Sequence, residues 1–144
     1  MIVVADTSAL LASFDTTEAE HARARQVMSS ELLVISPFVL TELDHLVRRN
    51  FGFRAALAAV ESLTDRIADG EYRLAPVSND DLMTAAEIRV SYASLEIDLA
   101  DAVGVVVADH FRTDRIFTLD QRDFRVIKPL TTGFDHFTIL PADA

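Results

Sequence analysis

The chain has 144 residues, of which 50% are hydrophobic and 25% charged, a composition typical of one globular domain that can bury its own core. It contains no cysteine, which excludes disulfides, thiolate catalysis and cysteine-based zinc sites and fits a reducing compartment. With 23 acidic and 13 basic residues the net charge is −10, which disfavours non-specific binding to nucleic acid. A nucleic-acid function therefore requires bound cations or local arginines, and Lys128 is the only base that is not an arginine.

Nothing in the sequence predicts a membrane segment. The longest uncharged apolar stretches, Ile2–Ala5 and Ala102–Ala108, are far shorter than the ~20 residues that cross a bilayer as a helix. The amino terminus lacks the basic region of a secretory signal. We expect a soluble, intracellular (cytoplasmic) protein without repeats or linkers.

Short apolar runs alternate with longer amphipathic segments along the whole chain. In chain order, the predicted elements are a strand Ile2–Ala5, a helix to Phe14, a helix Glu18–Met28, a strand Leu32–Ile35, helices Pro37–Asn50 and Phe53–Asp69, a strand Tyr72–Ala75, helices Asn79–Tyr92 and Asp98–His110, a strand Arg115–Leu119, a helical turn Arg122–Arg125 and a strand His136–Leu140. Ser36-Pro37 and Ser78 predict helix starts, while Gly52 and Gly70 predict helix ends. Wholly apolar strands between helices predict a parallel sheet covered on both faces, a three-layer α/β/α fold with right-handed crossovers.

Two acidic residues directly follow predicted strands. Asp6 ends the first strand, and Asp120 closes the apolar run Ile116–Leu119. Both therefore lie at the carboxyl edge of the sheet, where open α/β sheets bind their ligands. For Asp6, the N-cap of the following helix is an equally simple interpretation.

Two further acids lie in helices where the pattern calls for apolar residues. Glu42 shares a predicted core-facing stripe with Phe38, Val39 and Leu46, and an unpaired buried carboxylate is costly. The alternative is a position at the edge of the stripe, from which the carboxylate reaches solvent. Asp101 lies in the first turn of its helix, for which we assign Asp98 as the N-cap.

Together these acids can converge on one crevice. A cluster of carboxylates without histidine or cysteine favours Mg²⁺ or Mn²⁺, the ions that support phosphodiester hydrolysis. Asp123 is a further candidate, as a supporting or alternative ligand, and a helix cap or a salt bridge explains it equally simply. The ordered motifs resemble those of the PIN-domain family, and more closely its VapC-type toxins of bacterial toxin–antitoxin pairs. The matching segments are Ile2–Leu10, Val39–Leu43, Leu99–Ala102, Phe117–Phe124 and Phe137–Pro141.

The resemblance implies a five-stranded parallel sheet, one PIN domain over residues 1–144, and a Mg²⁺- or Mn²⁺-dependent endoribonuclease. It implies that Asp6, Glu42, Asp101 and Asp120 hold the metal. Thr7 and Thr118 then support the ligands through their hydroxyls. The implied substrate is a single-stranded region of structured RNA, either tRNA or ribosomal RNA, and the implied partners are a VapB-like antitoxin and a second copy of the chain.

RNA must still meet positive charge on this acidic chain. Arg23, Arg25 and Arg122 are candidate RNA contacts, although a solvated helix face explains any one of them. The other arginines near the predicted acids are Arg48, Arg49, Arg54, Arg112, Arg115 and Arg125.

Several alternatives are open at this stage. A receiver-like phosphoacceptor needs an acidic pair after its first strand, and a haloacid-dehalogenase-like phosphatase needs an acid where Ser8 stands. A metal-independent ribonuclease would use histidines, but His21, His45, His110 and His136 are scattered in the sequence. A PIN-like scaffold without catalysis would bind its partner or RNA with no turnover.

Overall fold

The computed structural model describes residues 1–144. The strands are β1 (Ile2–Ala5), β2 (Leu32–Ile35), β3 (Arg73–Leu74), β4 (Arg115–Phe117) and β5 (Thr138–Leu140). The helices are α1 (Thr7–Phe14), α2 (His21–Ser30), α3 (Pro37–Phe51), α4 (Phe53–Ala68), α5 (Asn79–Ser91), α6 (Leu99–His110) and α7 (Gln121–Phe124), with a 3₁₀ turn over Ala93–Leu95. None of the helices combines the length and apolar character needed to cross a bilayer.

The five strands form one parallel sheet in the order β3-β2-β1-β4-β5, which confirms the predicted sheet. The central strand β1 pairs with β2 on one side and with β4 on the other. The direction of winding therefore reverses between β1 and β4. In open α/β sheets the crevice at such a point, beyond the carboxyl ends of the strands, is where ligands bind.

Alternate residues of each strand face opposite helical layers, as the pleat requires. Val3 and Ala5 of β1 pack into the core formed with α1, α2, α3 and α4. Val4 packs into the second core, formed with α5, α6 and α7. These two cores confirm the three-layer architecture.

The predicted helix boundaries around α3, α4 and α5 are confirmed by their capping contacts. The Ser36 hydroxyl accepts a 3.3 Å hydrogen bond from the Val39 N–H at the start of α3. Gly52, with φ of 95°, separates α3 from α4 in a conformation that favours glycine. Ser78 and Asp81 form a reciprocal capping box at the start of α5.

Some predicted boundaries are wrong by a few residues. Helix α2 begins at His21 rather than Glu18, because the Asp15 side chain accepts hydrogen bonds from the N–H and hydroxyl of Thr17 and holds a turn there. Strand β3 is shorter than predicted at its amino end because the Tyr72 N–H donates to the Arg66 carbonyl of α4, at 3.2 Å, and not to the neighbouring strand. The 3₁₀ turn before α6 was not predicted.

Candidate metal centre

Asp6 stands at the N-cap position of α1, but its side chain does not cap the helix. Its Oδ2 atom instead accepts hydrogen bonds from the Thr118 hydroxyl at 2.6 Å and the Ser8 hydroxyl at 3.0 Å. The Asp6 N–H donates to the Phe117 carbonyl at 2.8 Å, which joins the ends of β1 and β4. The capping interpretation of this carboxylate is therefore wrong.

The hydroxyls of Ser8 and Thr118 organise the crevice between β1 and β4. They lie 3.1 Å apart, and each also accepts a backbone N–H, from Leu119 at 2.9 Å for Ser8 and from Asp120 at 3.0 Å for Thr118. This network links the position of Asp6 to that of Asp120. Ser8 is a positioning residue that the sequence analysis missed, although its place two residues after Asp6 is a usable signal.

Three carboxylates meet beside this network. One oxygen each from Asp101, Asp120 and Asp123 lie within 4.8 Å of one another. The Asp98 side chain accepts the Asp101 N–H at 2.8 Å, so Asp98 is the N-cap of α6 as predicted. Asp120 caps α7 by accepting the Asp123 N–H at 3.3 Å. The ends of two helices thus direct these carboxylates to one point.

Burial and mutual repulsion disfavour negative charge in this group. Burial, followed by the nearby charges of Asp6 and Asp98, raises the pKa of Asp101 to about 9. Burial also raises the pKa of Asp120, with further contributions from Asp123 and Asp6. An oxygen-liganded cation would relieve this repulsion.

Glu42 approaches the same crevice from α3 but lies outside the three-carboxylate group. The buried stripe of α3 consists of Val39, Leu43 and Val47. Glu42 is half-buried at the edge of this stripe, so the prediction that it lies on the stripe is wrong. Burial raises the pKa of Glu42, and the charges of Asp98 and Asp6 add to this shift. Glu42 therefore faces the acids of β1 and α6.

The hydroxyl of Thr7 is a buried polar atom without a hydrogen-bond partner of good geometry. The Thr7 hydroxyl lies close to the Glu42 carboxyl and favours its charged form, which partly offsets the rise in the pKa of Glu42. A buried hydroxyl of this kind needs an acceptor, and a charged Glu42 carboxylate would supply one. The local donor set is entirely oxygen, so the residues present fit Mg²⁺ or Mn²⁺.

The candidate RNA-binding arginines differ in their surroundings. Arg122 donates from Nε to Asp123 at 3.1 Å and from Nη2 to the Leu95 carbonyl at 3.4 Å, at the rim of the carboxylate group. Arg23 is bound to Glu20 and to the Pro141 carbonyl, beside a small pocket that also contains Thr118.

Arg25 and the histidines lie elsewhere. Arg25 lies near the hydroxyl of Tyr72, just before the amino end of β3. Burial raises the pKa of Tyr72, and the positive charge of Arg25 partly offsets this rise. No histidine belongs to the three-carboxylate group. His21 contacts the Ala12 carbonyl and His110 contacts Asp81, while His45 and His136 are exposed.

Comparison with known proteins decides the family. The model of the PIN domain family matches residues 3–128. The chain belongs to the PIN-domain family. Within this family the chain groups with the VapC-type proteins. It is 40% identical over 141 residues to Ribonuclease VapC26 of Mycobacterium tuberculosis (strain ATCC 25618 / H37Rv). The alignment covers 96% of this chain and 100% of that protein.

Solved structures of PIN-domain toxins support this placement. The crystal structure of Mycobacterium tuberculosis VapC20, described as a sarcin–ricin loop cleaving toxin, aligns with a TM-score of 0.74 at 27% identity, covering 85% of this chain and 92% of that one. VapBC2 from Rickettsia felis, bound to a DNA fragment from its promoter, aligns with a TM-score of 0.64 at 17% identity, covering 91% and 96% of the two chains. At that identity the second likeness shows the fold alone.

Proposed function

We propose that the protein, as one PIN domain over residues 1–144, is the toxin of a VapBC-type toxin–antitoxin pair and a Mg²⁺- or Mn²⁺-dependent endoribonuclease. Its substrate is a single-stranded region of a structured RNA, tRNA or ribosomal RNA. The observation that carries the proposal is the meeting of Asp101, Asp120 and Asp123 within 4.8 Å at the crevice beside Asp6. Arg122 pairs with Asp123 at the rim of this group, while Asp6, Asp101 and Asp120 form no ion pair.

Asp6, Glu42, Asp101 and Asp120 would hold the metal, with Thr7, Thr118 and Asp123 supporting them. Held by these residues, Mg²⁺ or Mn²⁺ would supply activation of a water molecule and stabilisation of the leaving oxygen. The chain's own contribution is to fix the acids: Thr118 and Ser8 orient Asp6, while the N-cap Asp98 holds the first turn of α6. In-line attack by water leaves 5′-phosphate and 3′-hydroxyl ends.

The proposed partners follow from charge and from the relatives. A VapB-like antitoxin would place a basic side chain in the acidic crevice, and a net charge of −10 favours a basic partner. The structural neighbours include VapBC2 of Rickettsia felis and a toxin–antitoxin complex from Klebsiella pneumoniae. We further propose a cytoplasmic homodimer, with Arg122 and Arg23 contacting RNA near the acids.

The test is cleavage of total cellular RNA by purified protein in Mg²⁺, in Mn²⁺ and in EDTA. We expect discrete cuts that require metal and disappear in Asp6→Asn. Asp44→Asn is the matched control, because Asp44 is an exposed acid on α3 close in sequence to Glu42. Mapping the ends identifies the cut site and its chemistry.

Two outcomes would contradict the proposal. Cuts in EDTA that leave cyclic phosphates would transfer the chemistry to the histidines. RNA binding without turnover in any metal would make the protein a PIN-like scaffold.

A further inference from the structure

The turn between α3 and α4 carries a local positive charge that is unusual for this protein. Residues 45–60 contain three arginines and no acidic residue, in a chain with 23 acids and a net charge of −10. We call Arg48, Arg49, Phe51, Phe53 and Arg54 the hairpin tip. It is a local basic surface on an acidic protein.

The arginines of the hairpin tip form no ion pairs. Several others are neutralised by acids, as Arg115 is by Glu31 and Arg125 by Asp143. Arg48 does not contact Asp44, one turn earlier in α3, and its guanidinium instead lies 5.5 Å from the centre of the Phe53 ring. The charge of the hairpin tip is therefore available to an anionic ligand.

Two aromatic rings are exposed beside these charges. Phe51 is 51% exposed and Phe53 is 60% exposed, while Leu57, one turn further along α4, is also exposed. Gly52 has φ of 95° and lets the chain reverse tightly between them. Exposed aromatic rings among unpaired arginines are the combination with which proteins bind single-stranded nucleic acid, since bases stack on rings and phosphates contact guanidinium groups.

Helix α3 connects the hairpin tip to the acidic crevice. Glu42 faces Asp6 and Asp98 at one end of the helix, and Arg49 follows seven residues later. Seven residues are two helical turns, so Arg49 lies on the same face as Glu42 and about 10 Å along the axis. Phe51 follows nine residues after Glu42, about 14 Å along the axis, and because nine residues are two and a half turns it projects from the opposite side of α3.

We propose that the hairpin tip binds a single-stranded RNA segment that flanks the scissile phosphodiester. Bases stack on Phe51 and Phe53, while Arg48, Arg49 and Arg54 contact phosphates. This inference rests on the proposed ribonuclease function, because it assigns the path of that substrate. An RNA ligand is favoured over a protein because the surface combines exposed rings with three unpaired cations and has no acid to pair with a basic partner.

The experiment measures binding separately from cleavage. A fluorescent 12-nucleotide single-stranded RNA is titrated with protein in the Asp6→Asn background, in Mg²⁺, over a series of salt concentrations. We expect Phe53→Ala to weaken binding by about 5-fold or more, the effect of losing one base stack. We expect Arg49→Gln/Arg54→Gln to lower the salt slope by about 1.4, or roughly 0.7 for each phosphate contact.

The controls use exposed residues outside the hairpin tip. Arg73→Gln/Arg112→Gln removes the same charge from exposed positions, and Val90→Ala removes an exposed apolar side chain from α5. Both should leave the Kd and the salt slope unchanged. Phe53→Trp adds a direct reporter, because the chain has no other tryptophan and a stacked base should quench its fluorescence.

Equal RNA binding by the tip variants and their parent, or no RNA binding by the parent, would overturn the inference. So would tip variants that lose binding to an acidic peptide and keep RNA binding, since the surface would then serve a protein. Cleavage of total RNA by otherwise wild-type protein separates this inference from the proposed function. RNA binding that depends on the hairpin tip, without metal-dependent cleavage, would refute only the proposed ribonuclease activity. Metal-dependent cleavage with the same KM in the tip variants and the wild type would refute only RNA binding by the hairpin tip.

Discussion

The hydroxyl of Thr118, just beyond β4, donates a 2.6 Å hydrogen bond to the carboxylate of Asp6, just beyond β1. The same hydroxyl oxygen accepts the Asp120 N–H at 3.0 Å. One buried side chain thereby sets the relative position of two acids that are more than a hundred residues apart in sequence. The arrangement depends on a hydroxyl and not merely on the volume of a threonine.

Replacing Thr118 with valine should keep the shape and remove this link. We expect Mn²⁺ affinity and cleavage rate to fall by roughly 10- to 100-fold, as when the partners of metal ligands are lost. The Asp120 N–H also loses its acceptor, which should cost about 1–3 kcal/mol in the free energy of unfolding. Calorimetric Mn²⁺ titration, single-turnover cleavage and urea unfolding measure these effects.

Thr113→Val is the matched control for Thr118→Val. Thr113 is also buried, and its hydroxyl makes two hydrogen bonds where that of Thr118 makes three. It donates to the Ile2 carbonyl and accepts the Arg115 N–H, at the amino end of β4. It should lose stability without losing Mn²⁺ affinity. An equal loss of Mn²⁺ affinity in both variants would mean that the link from Thr118 to Asp6 is not specific.

The strand-end acids could be predicted because their placement follows from topology. Once short apolar strands alternate with helices, the sheet is parallel and its carboxyl ends share one edge. Asp6 and Asp120 therefore had to lie at that edge. The order of the strands, with β1 beside β4, brings them into the same crevice.

The contacts that refine the site could not be predicted, because they depend on distant residues. The Ser8 hydroxyl contacts Thr118 and the Leu119 N–H, 110 and 111 residues away. Asp123 was a candidate from its place beside Asp120, but its approach to Asp101 depends on α7 being a single short turn that directs it back toward α6. No periodicity in the sequence encodes either relationship.

The metal-free protein should become less stable as pH rises, because of Asp101. The pKa of this carboxyl is raised to about 9 in the folded protein, above its ordinary value near 4. Its contribution to stability is therefore fully present below pH 4 and is lost as pH rises through 9. Asp101→Asn should raise the Tm in EDTA at pH 8 by roughly 3 °C or more, about 1 kcal/mol, while abolishing cleavage.

Melting curves in EDTA from pH 5 to pH 9 check this expectation. Asp44→Asn, which changes an exposed acid, should follow the wild-type profile. Saturating Mn²⁺ should remove most of the difference between wild type and Asp101→Asn by stabilising only the wild type. A lower Tm for Asp101→Asn in EDTA at pH 8 would show that the raised pKa of Asp101 does not destabilise the metal-free fold.

Metal binding at neutral pH should release a proton. With its pKa raised to about 9, Asp101 is protonated at pH 7 in the metal-free protein and must ionise to serve as a ligand. We expect about one proton per site at pH 7, and fewer as pH approaches 9. Calorimetry in buffers of different ionisation enthalpy measures this number, and an apparent enthalpy that does not depend on the buffer would contradict the role of Asp101.

Arg122 should have opposite effects on metal and on RNA. Its Nε donates to Asp123, within the carboxylate group, and its guanidinium is otherwise largely exposed at the rim. Arg122→Gln removes a positive charge beside the proposed metal site, so Mn²⁺ should bind several-fold tighter, on the order of 1 kcal/mol. Under the proposed function it also removes a cation that would meet the RNA backbone, so KM for RNA should rise.

Arg125→Gln is the matched control for Arg122→Gln, since Arg125 directly follows the same short helix but pairs with Asp143, away from the acids. It should change neither Mn²⁺ affinity nor KM. The opposite signs in Arg122→Gln are diagnostic, because a residue that only braced α7 against the Leu95 carbonyl would weaken both when removed. Parallel losses of Mn²⁺ affinity and RNA binding would assign Arg122 to that bracing role and remove it from the RNA path.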